Sequence, residues 1–538
     1  MESLSDTIWD VVICGTGLQQ SLLALALSRS NKNILHIDPN QYYGGSEAAL
    51  SLAEADAWAA ARPEASATRS TPAAETGAMK LGPLSAYSVA LAPQFLHARS
   101  ALVDLLVSSR AFRQLEFLAV SSFYVLESSS STSQPSIVRI PATREDVFAN
   151  TAMPVRAKRQ LMKFLKFVLA FDGDDKADGE DEGEKTNDES LWRAHSLEPL
   201  GAFLQSKFGL DDLMRDNVLA LTLSLDGASV TVAEGLPRLH RHITSMGLFG
   251  PGFAAVYPKW GGCGEIVQVA CRAAAVGGGI YMLGSGIRSM KTVMSESEDG
   301  SAGQEELTEL DLTRDMTIKT KLLVRGSEEI AEASSEPATV PISNDDNEQR
   351  LSRLIAVVGA PLPFLFAPTV EGAPVAGGAV IALPAGRSIM ADGPVLEHPI
   401  FVMAHSSDTG ECPVGQSSKA ILESALETVL AALQQEVSGS DVDGQNASSP
   451  ISCLYKLYYE QPRGGNSASA PSEEPAKEES SSSIFRFPPL PVDLMVQDAP
   501  LDVVRDAWKR VMGPDADDAT YMVFEDREGN TVYDADYD

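Results

Sequence analysis

The sequence predicts an α/β protein with an all-helical domain inserted into it. Three observations lead there. The chain opens on a strand, a glycine loop, an apolar helix and a second strand, all within residues 9–38. A second glycine-rich turn followed by a helix and a strand covers 257–283. Between them, 143–246 repeats apolar side chains at helical spacing. The length of 538 residues allows two or three domains with ample core.

Asp10–Cys14 reads as a buried strand. It runs into Gly15-Thr16-Gly17-Leu18-Gln19-Gln20 and then a helix. A dinucleotide fold places Gly-x-Gly-x-x-Gly here: one glycine for the turn, one for pyrophosphate approach and one for helix–strand packing. Gln20 stands at the third place. The scaffold is expected and the cofactor contact is left open. Asn33–Asp38 gives the second strand, with Asp38 where such folds put a ribose-binding acid. Residues 54–80, rich in Ala, Thr and Glu, are expected to be mobile. A helical pattern is expected from Tyr87 through Leu96, Leu102, Leu105 and Leu106, then a strand over Phe117–Leu126 and a loop over 128–134.

Thr143 followed by Arg144-Glu145-Asp146 starts a helix well. In 155–171, Leu161, Phe164, Leu165, Val168 and Leu169 fall on one face, opposite Arg156, Arg159, Lys163 and Lys166. Another helical stretch covers about 197–224, with Leu204, Leu213, Val218, Leu221 and Leu223. Charged or polar inserts near 172–190, 294–306, 327–350, 436–449 and 464–483 have too little apolar content to offset the entropy of ordering, and are expected to be disordered. Residues 501–512 form an amphipathic helix closed by Gly513. The expected division is 1–142 plus 247–484 as one discontinuous domain, 143–246 as the helical domain, and 485–538 as a C-terminal helix and tail packed on the first.

The formal net charge of −32 argues against nucleic acid and anionic membranes as partners. Five cysteines without a CxxC argue against a disulfide framework or zinc site and for a reducing compartment. No signal peptide and no bilayer-long apolar run stand out, so a cytosolic chain is expected. There is no nucleophile elbow or HExxH. His240 and His242, beside Arg238 and Arg241, suggest a solvated or partner-facing basic patch. Cys263 and Cys271 suggest buried core. Gly15, Gly17, Asp38 and Gly44-Gly45 alone support a flavin-dependent oxidase. Against it, Gln497-Asp498 lacks the late glycine of such enzymes. In Tyr257-Pro258-Lys259-Trp260-Gly261-Gly262-Cys263-Gly264-Glu265-Ile266, Glu265 lies in the first turn of a helix and Arg272 two turns on. Either Glu265 caps that helix and Arg272 pairs with a neighbour, or both join Tyr43 and Met282 in a platform for another protein.

Residues 8–46 and 257–283 together resemble the Rab GDP-dissociation inhibitor and Rab escort protein superfamily. The first block matches Asp-Val-x-Ile-x-Gly-Thr-Gly-Leu and Leu-His-x-Asp-x-Asn-x-Tyr-Tyr-Gly-Gly. The second matches Tyr-Pro-x-x-Gly-x-Gly-Glu, an arginine on the following helix, and Gly-Gly-x-Tyr-x-Leu. Lys163–Phe167 and the helix 501–513 add to the match. The resemblance implies an FAD/NAD(P)-binding-like (GDI-like) multi-sheet domain with no cofactor and no metal. Gly15, Gly17 and Asp38 are then a vestigial dinucleotide loop. It implies a Rab-binding platform at Tyr43, Glu265, Arg272, Tyr281 and Met282. It also implies a geranylgeranyl pocket among Leu161, Phe164, Leu165, Val168 and Leu221, and a contact with the Rab geranylgeranyltransferase heterodimer near Leu200 and Phe203. The partners it implies are Rab GTPases in the GDP form, the transferase and the geranylgeranyl lipid, with only transient membrane contact. The acidic inserts resemble the escort branch, which is noncatalytic; the recycling inhibitors are the alternative.

Overall fold

The computed structural model describes residues 4–70, 80–128, 135–141, 144–151, 153–171, 187–296, 304–326, 350–360, 362–368, 375–388, 395–406, 419–440, 451–462 and 483–525. The first strand, Ile8–Cys14, and the strand Ile34–Asp38 lie side by side and parallel, joined by the helix Leu18–Leu27. Ile280–Leu283 adds a parallel edge beyond Ile34–Asp38, and Met316–Arg325 pairs in parallel on the other side of Ile8–Cys14. The antiparallel strands Gln304–Leu312 and Ile287–Glu296 extend that side, and Ile484–Arg486 completes a seven-stranded sheet.

Alternation along the first strand fills both faces of this sheet. Val11 and Ile13 join a core built from three helices, Leu18–Leu27, Cys263–Val276 and Ala499–Met512. Val12 and Cys14 face the opposite side with Leu35, Ile37, Leu310 and Leu323. A six-stranded sheet built around Phe117–Ser128 and Gly378–Leu383 forms the second half of the body, covered by the helix Lys419–Ser440.

The helices Val155–Leu169, Asn187–Ala194, Leu200–Phe203, Asp212–Leu221 and Val232–Ser245 gather into a separate core rich in phenylalanine. Phe167, Phe203 and Phe208 pack with ring centroids 5.2–5.9 Å apart. This core meets the body through Val232–Ser245. The Arg238 guanidinium pairs with Asp493 at 2.6 Å and that of Arg241 with Asp498 at 2.7 Å. His242 is buried against His97 and Phe123, with 3.4 Å between the two imidazoles. The expected basic patch is therefore an internal joint. Both arginines reach the segment before the C-terminal helix instead of solvent.

Several expectations change. Residues 52–60 form a helix with a complete capping box between Ser51 and Glu54, so much of the stretch expected to be mobile is ordered locally. The helix expected from Tyr87 is only Ala101–Ser108, because Leu96 belongs to a short strand. The stretch 197–224 is broken: a π-turn over Leu204–Phe208 ends at Gly209, whose φ of +68° stops the helix. Leu213 and Leu169 are exposed. The inserts are shorter than expected where they border regular structure. Asn187–Ser190 open a helix, Met294–Glu296 and Gln304–Glu306 are strand residues, and Glu436–Ser440 end a helix. The remainder of each insert, with Thr143 and the tail beyond 525, lies outside the described residues.

The helix Cys263–Val276 is fastened at both ends by glycines that permit contact. A Cβ on Gly264 would lie 2.7 Å from the Glu47 carbonyl oxygen, and one on Gly277 would lie 1.9 Å from that of Ser28. Gly277→Ala is expected to lower stability by about 1–3 kcal/mol, read as a shift of the urea midpoint at constant slope.

Burial lowers His36 and His242 from 6.5 to about 4, and His405 to about 3. These rings stay neutral in the fold while the unfolded chain takes up protons below 6.5. Their contribution is full above that pH and is lost as pH falls toward 4. Stability measured between pH 6.5 and 4 should therefore decline. His242→Gln should make that decline shallower by up to about 1.4 kcal/mol per pH unit; an unchanged slope refutes the assignment.

Candidate functional site

The helix Cys263–Val276 is the centre of the site. The buried strand Ala255–Pro258 delivers the chain into it, and the turn at Gly262, with φ +57°, starts it. Cys263, Ile266, Val267, Ala270, Cys271 and Ala274 form its buried face. Gln268, Arg272, Ala275 and Val276 form the exposed one. The helix rests on the first helix, where the Ser21 hydroxyl and the Cys271 thiol lie 3.3 Å apart.

Of the five platform residues expected from sequence, Tyr43 and Tyr281 meet, edge to face with centroids 6.1 Å apart. Tyr281 also stacks on His36 at 4.8 Å. Its phenol is pushed well up, first by burial and then by the neighbouring Cys271. Arg272 follows Cys271 on the helix and is exposed, with no ion partner among the described residues. The other two serve differently. Glu265 accepts a hydrogen bond of 2.9 Å from the Trp260 amide, bracing the turn ahead of its own helix. It stands seven residues before Arg272, roughly 10 Å along the axis. Burial pushes its carboxyl up, against the pull of the Trp260 and Glu116 amides and Lys259. Met282 follows Tyr281 on an edge strand, so it turns to the other face and packs on the cluster of Trp9 and Leu35.

Near this platform the turn carries Trp260, half exposed, with the Lys259 ammonium 4.5 Å from its ring centre. Phe112 and Phe117 are also partly exposed. Phe117 pairs with Pro258, and Lys259 reaches Glu116 at 3.0 Å. Sequence reading passed over the two phenylalanines. Phe112 lies in a short turn and Phe117 opens the strand Phe117–Ser128, each beside a charged residue and with no periodic pattern to mark it as exposed.

The helical candidates divide by depth. Phe164 and Val168 are fully inside the helical core, and Leu161 and Leu221 pack at its edge. Leu165 is partly exposed and lies outside that cluster. Leu200 and Phe203 are completely buried in the same core, so neither presents a surface to another protein. The apolar side chain that faces solvent there is Leu197, 87% exposed, in the turn that precedes Leu200.

The glycine loop has the backbone of a dinucleotide turn and lacks its vacancy. The Asp38 carboxylate accepts from the Thr16 amide at 2.7 Å, the Thr16 hydroxyl at 2.6 Å and the Asn40 amide at 2.7 Å. Its oxygens are thus engaged where a ribose would need them. Burial pushes this carboxyl up, and those bonds oppose the shift. At the start of the first helix the Leu18 amide donates to the Glu47 carboxylate at 3.2 Å. A Cβ on Gly17 would meet the Gln20 amide oxygen at 3.0 Å and the Glu47 carboxylate at 3.3 Å. A pyrophosphate does not fit these residues, because protein oxygens already stand over Gly17. Among the described residues no group of three or more His, Cys, Asp or Glu side chains could hold a metal ion, and no helix is long and apolar enough to cross a membrane.

Comparison with known proteins places this geometry. The "Rab proteins geranylgeranyltransferase component A" of Saccharomyces cerevisiae is 32% identical over 301 residues, covering 54% of this chain and 46% of that one. The "Rab GDP-dissociation inhibitor" of the same yeast is 26% identical over 363 residues, covering 66% and 70%. The chain spans about half the length of the first three curated relatives it matches. The crystal structure of Rab GDI from Plasmodium falciparum superposes with a TM-score of 0.55 at 17% identity, over 95% of this chain and 99% of that one, and so shares its fold. The GDP dissociation inhibitor profile matches residues 5–312. Having both the multi-sheet body with its helical core and this match across more than half its length, the chain belongs to the GDP dissociation inhibitor (GDI) family.

Proposed function

We propose that the chain is a Rab escort protein. It holds unprenylated Rab GTPases in their GDP form, presents them to the Rab geranylgeranyltransferase heterodimer, and shields the prenylated product until delivery. It is an accessory component without a catalytic role, acts in the cytoplasm, and touches membranes only transiently. The observation that carries this reading is the Tyr43–Tyr281 pair, together with a helix locked by Gly264 and Gly277 whose exposed face carries Arg272. The 32% identity to a component A supports the escort branch.

The physics suits a carrier. A geranylgeranyl group has on the order of 20 carbons, and each buried methylene contributes about 0.8 kcal/mol. Leu161 and Leu221 at the edge of the helical core form the entrance. Phe164 and Val168 line the space that opens when the lipid wedges the helices apart. The buried Leu200 and Phe203 support the transferase contact from within, and Leu197 makes it. Discrimination of nucleotide state requires a different affinity for the two switch conformations.

A second reading is a recycling inhibitor, favoured by the 70% coverage of the yeast Rab GDP-dissociation inhibitor. Prenylation in vitro separates the two: unprenylated Rab, transferase and geranylgeranyl diphosphate, with and without this protein. Lipid transfer that depends on the protein supports the escort. Extraction of prenylated Rab from membranes without any support of transfer supports the inhibitor. Binding should be tighter to GDP-loaded than to GTP-analogue-loaded Rab, and equal binding overturns both. Arg272→Ala should weaken the complex by about 1–3 kcal/mol while leaving thermal stability unchanged.

A further inference from the structure

Glu47 is 5% exposed and belongs to the short turn Gly45–Glu47 that follows the Tyr43 loop. Each of its carboxylate oxygens accepts a hydrogen bond. One oxygen accepts from the Leu18 amide at the N-terminus of the ten-residue first helix, which has no side-chain cap of its own. The other accepts from the Ser46 hydroxyl. Its main chain makes two further contacts. The Glu47 amide donates to the Gly44 carbonyl at 2.8 Å, and the Glu47 carbonyl lies against Gly264 of the platform helix. The Gly44 amide in turn donates to the Thr16 hydroxyl at 2.9 Å. Nearby Arg353 is buried; burial lowers its guanidinium, and the charges of Tyr459 and Glu47 oppose that shift.

A helix start with free amides attracts an anion, and in a dinucleotide fold the pyrophosphate supplies it. Here the carboxylate and the Gln20 amide crowd the face of Gly17 that such a phosphate would use. We propose that Glu47 is a built-in anion that replaces the phosphate of the ancestral loop. It is a positioning residue: through it the first helix holds the Tyr43 loop, and through that loop the start of the platform helix. This holds whichever partner the platform takes.

The test is anion rescue in the full-length protein, with inorganic phosphate as the probe and sodium chloride of equal ionic strength as the reference. Glu47→Ala should lower the melting temperature and speed amide exchange at Leu18 roughly tenfold, with faster exchange also in 43–49 and at the start of 263–276. Phosphate raises the stability of most proteins slightly by exclusion from their surface, so the readout is the difference from wild type. Phosphate should stabilise Glu47→Ala, and more so Glu47→Ala with Gln20→Gly, beyond its effect on wild type, and should restore protection at Leu18. If Glu47→Ala does not fold, Glu47→Ser, shorter and uncharged but polar, clears the same space and should show the same excess. An equal phosphate shift in wild type and variants, or unchanged exchange at 263–276, overturns the proposal.

Discussion

The packing of the platform helix on the first helix is the constraint from which the rest follows. The contact includes small groups: Ser21, Ala24 and Ser28 on one side, Ala270, Cys271, Ala274 and Gly277 on the other. Small residues bring two backbones close, and close backbones leave little freedom in crossing angle. The glycines at the two ends add main-chain contacts that a side chain would forbid. A helix held this way presents its outer face at a fixed position. Arg272 needs no supporting ion pair to be placed, since its backbone is already fixed. The same packing buries Cys263, whose thiol is pushed up to about 12 by burial and then by Glu47, so it stays protonated and inert.

The polar residues that a nucleotide enzyme would turn outward are turned inward here. Asp38 holds Thr16 and Asn40, Glu47 holds Leu18, and His36 contacts the Gly15 carbonyl. Each closes part of the loop on itself. A buried carboxylate is costly unless hydrogen bonds replace its water, and three donors around Asp38 do so. The result is a turn that keeps its shape without a ligand. The adjoining Tyr43–Tyr281 pair can then act as a fixed surface and need not wait for a cofactor to order it.

What could be read from the sequence depended on the range of the causes. The strand–loop–helix at the start and the glycine turn before Cys263 are legible because their determinants are local: apolar runs and glycines. The pairing of Tyr43 with Tyr281 was suggested only by resemblance, since no local rule joins residues so distant in the chain. Strand alternation, which a motif match does not carry, sends Met282 to the face opposite Tyr281. Apolar residues near a helix start carry no sign of depth, so nothing local marks Leu200 and Phe203 as buried. The burial of His242 arises from neighbours in other elements. Glu47 went unnoticed because its role depends on a helix amide at Leu18, 29 residues earlier.

The joint between body and helical core bears on how one molecule could hold a protein and a lipid together. Arg238 and Arg241 do not pair with the platform; they pair with Asp493 and Asp498, on the segment leading into the C-terminal helix. That helix packs on the first helix, through Leu501, Val504, Ala507 and Trp508. The chain of contacts therefore runs from the platform helix to the first helix, then to the C-terminal helix, and from there to the helical core. When a partner is anchored at one site, a tethered group reaches the second site at an effective concentration set by the distance between them. A flexible joint would spread that distance and dilute the second contact. Two charged pairs to the segment leading into the C-terminal helix, and the buried contact of His242 with His97 and Phe123, narrow it.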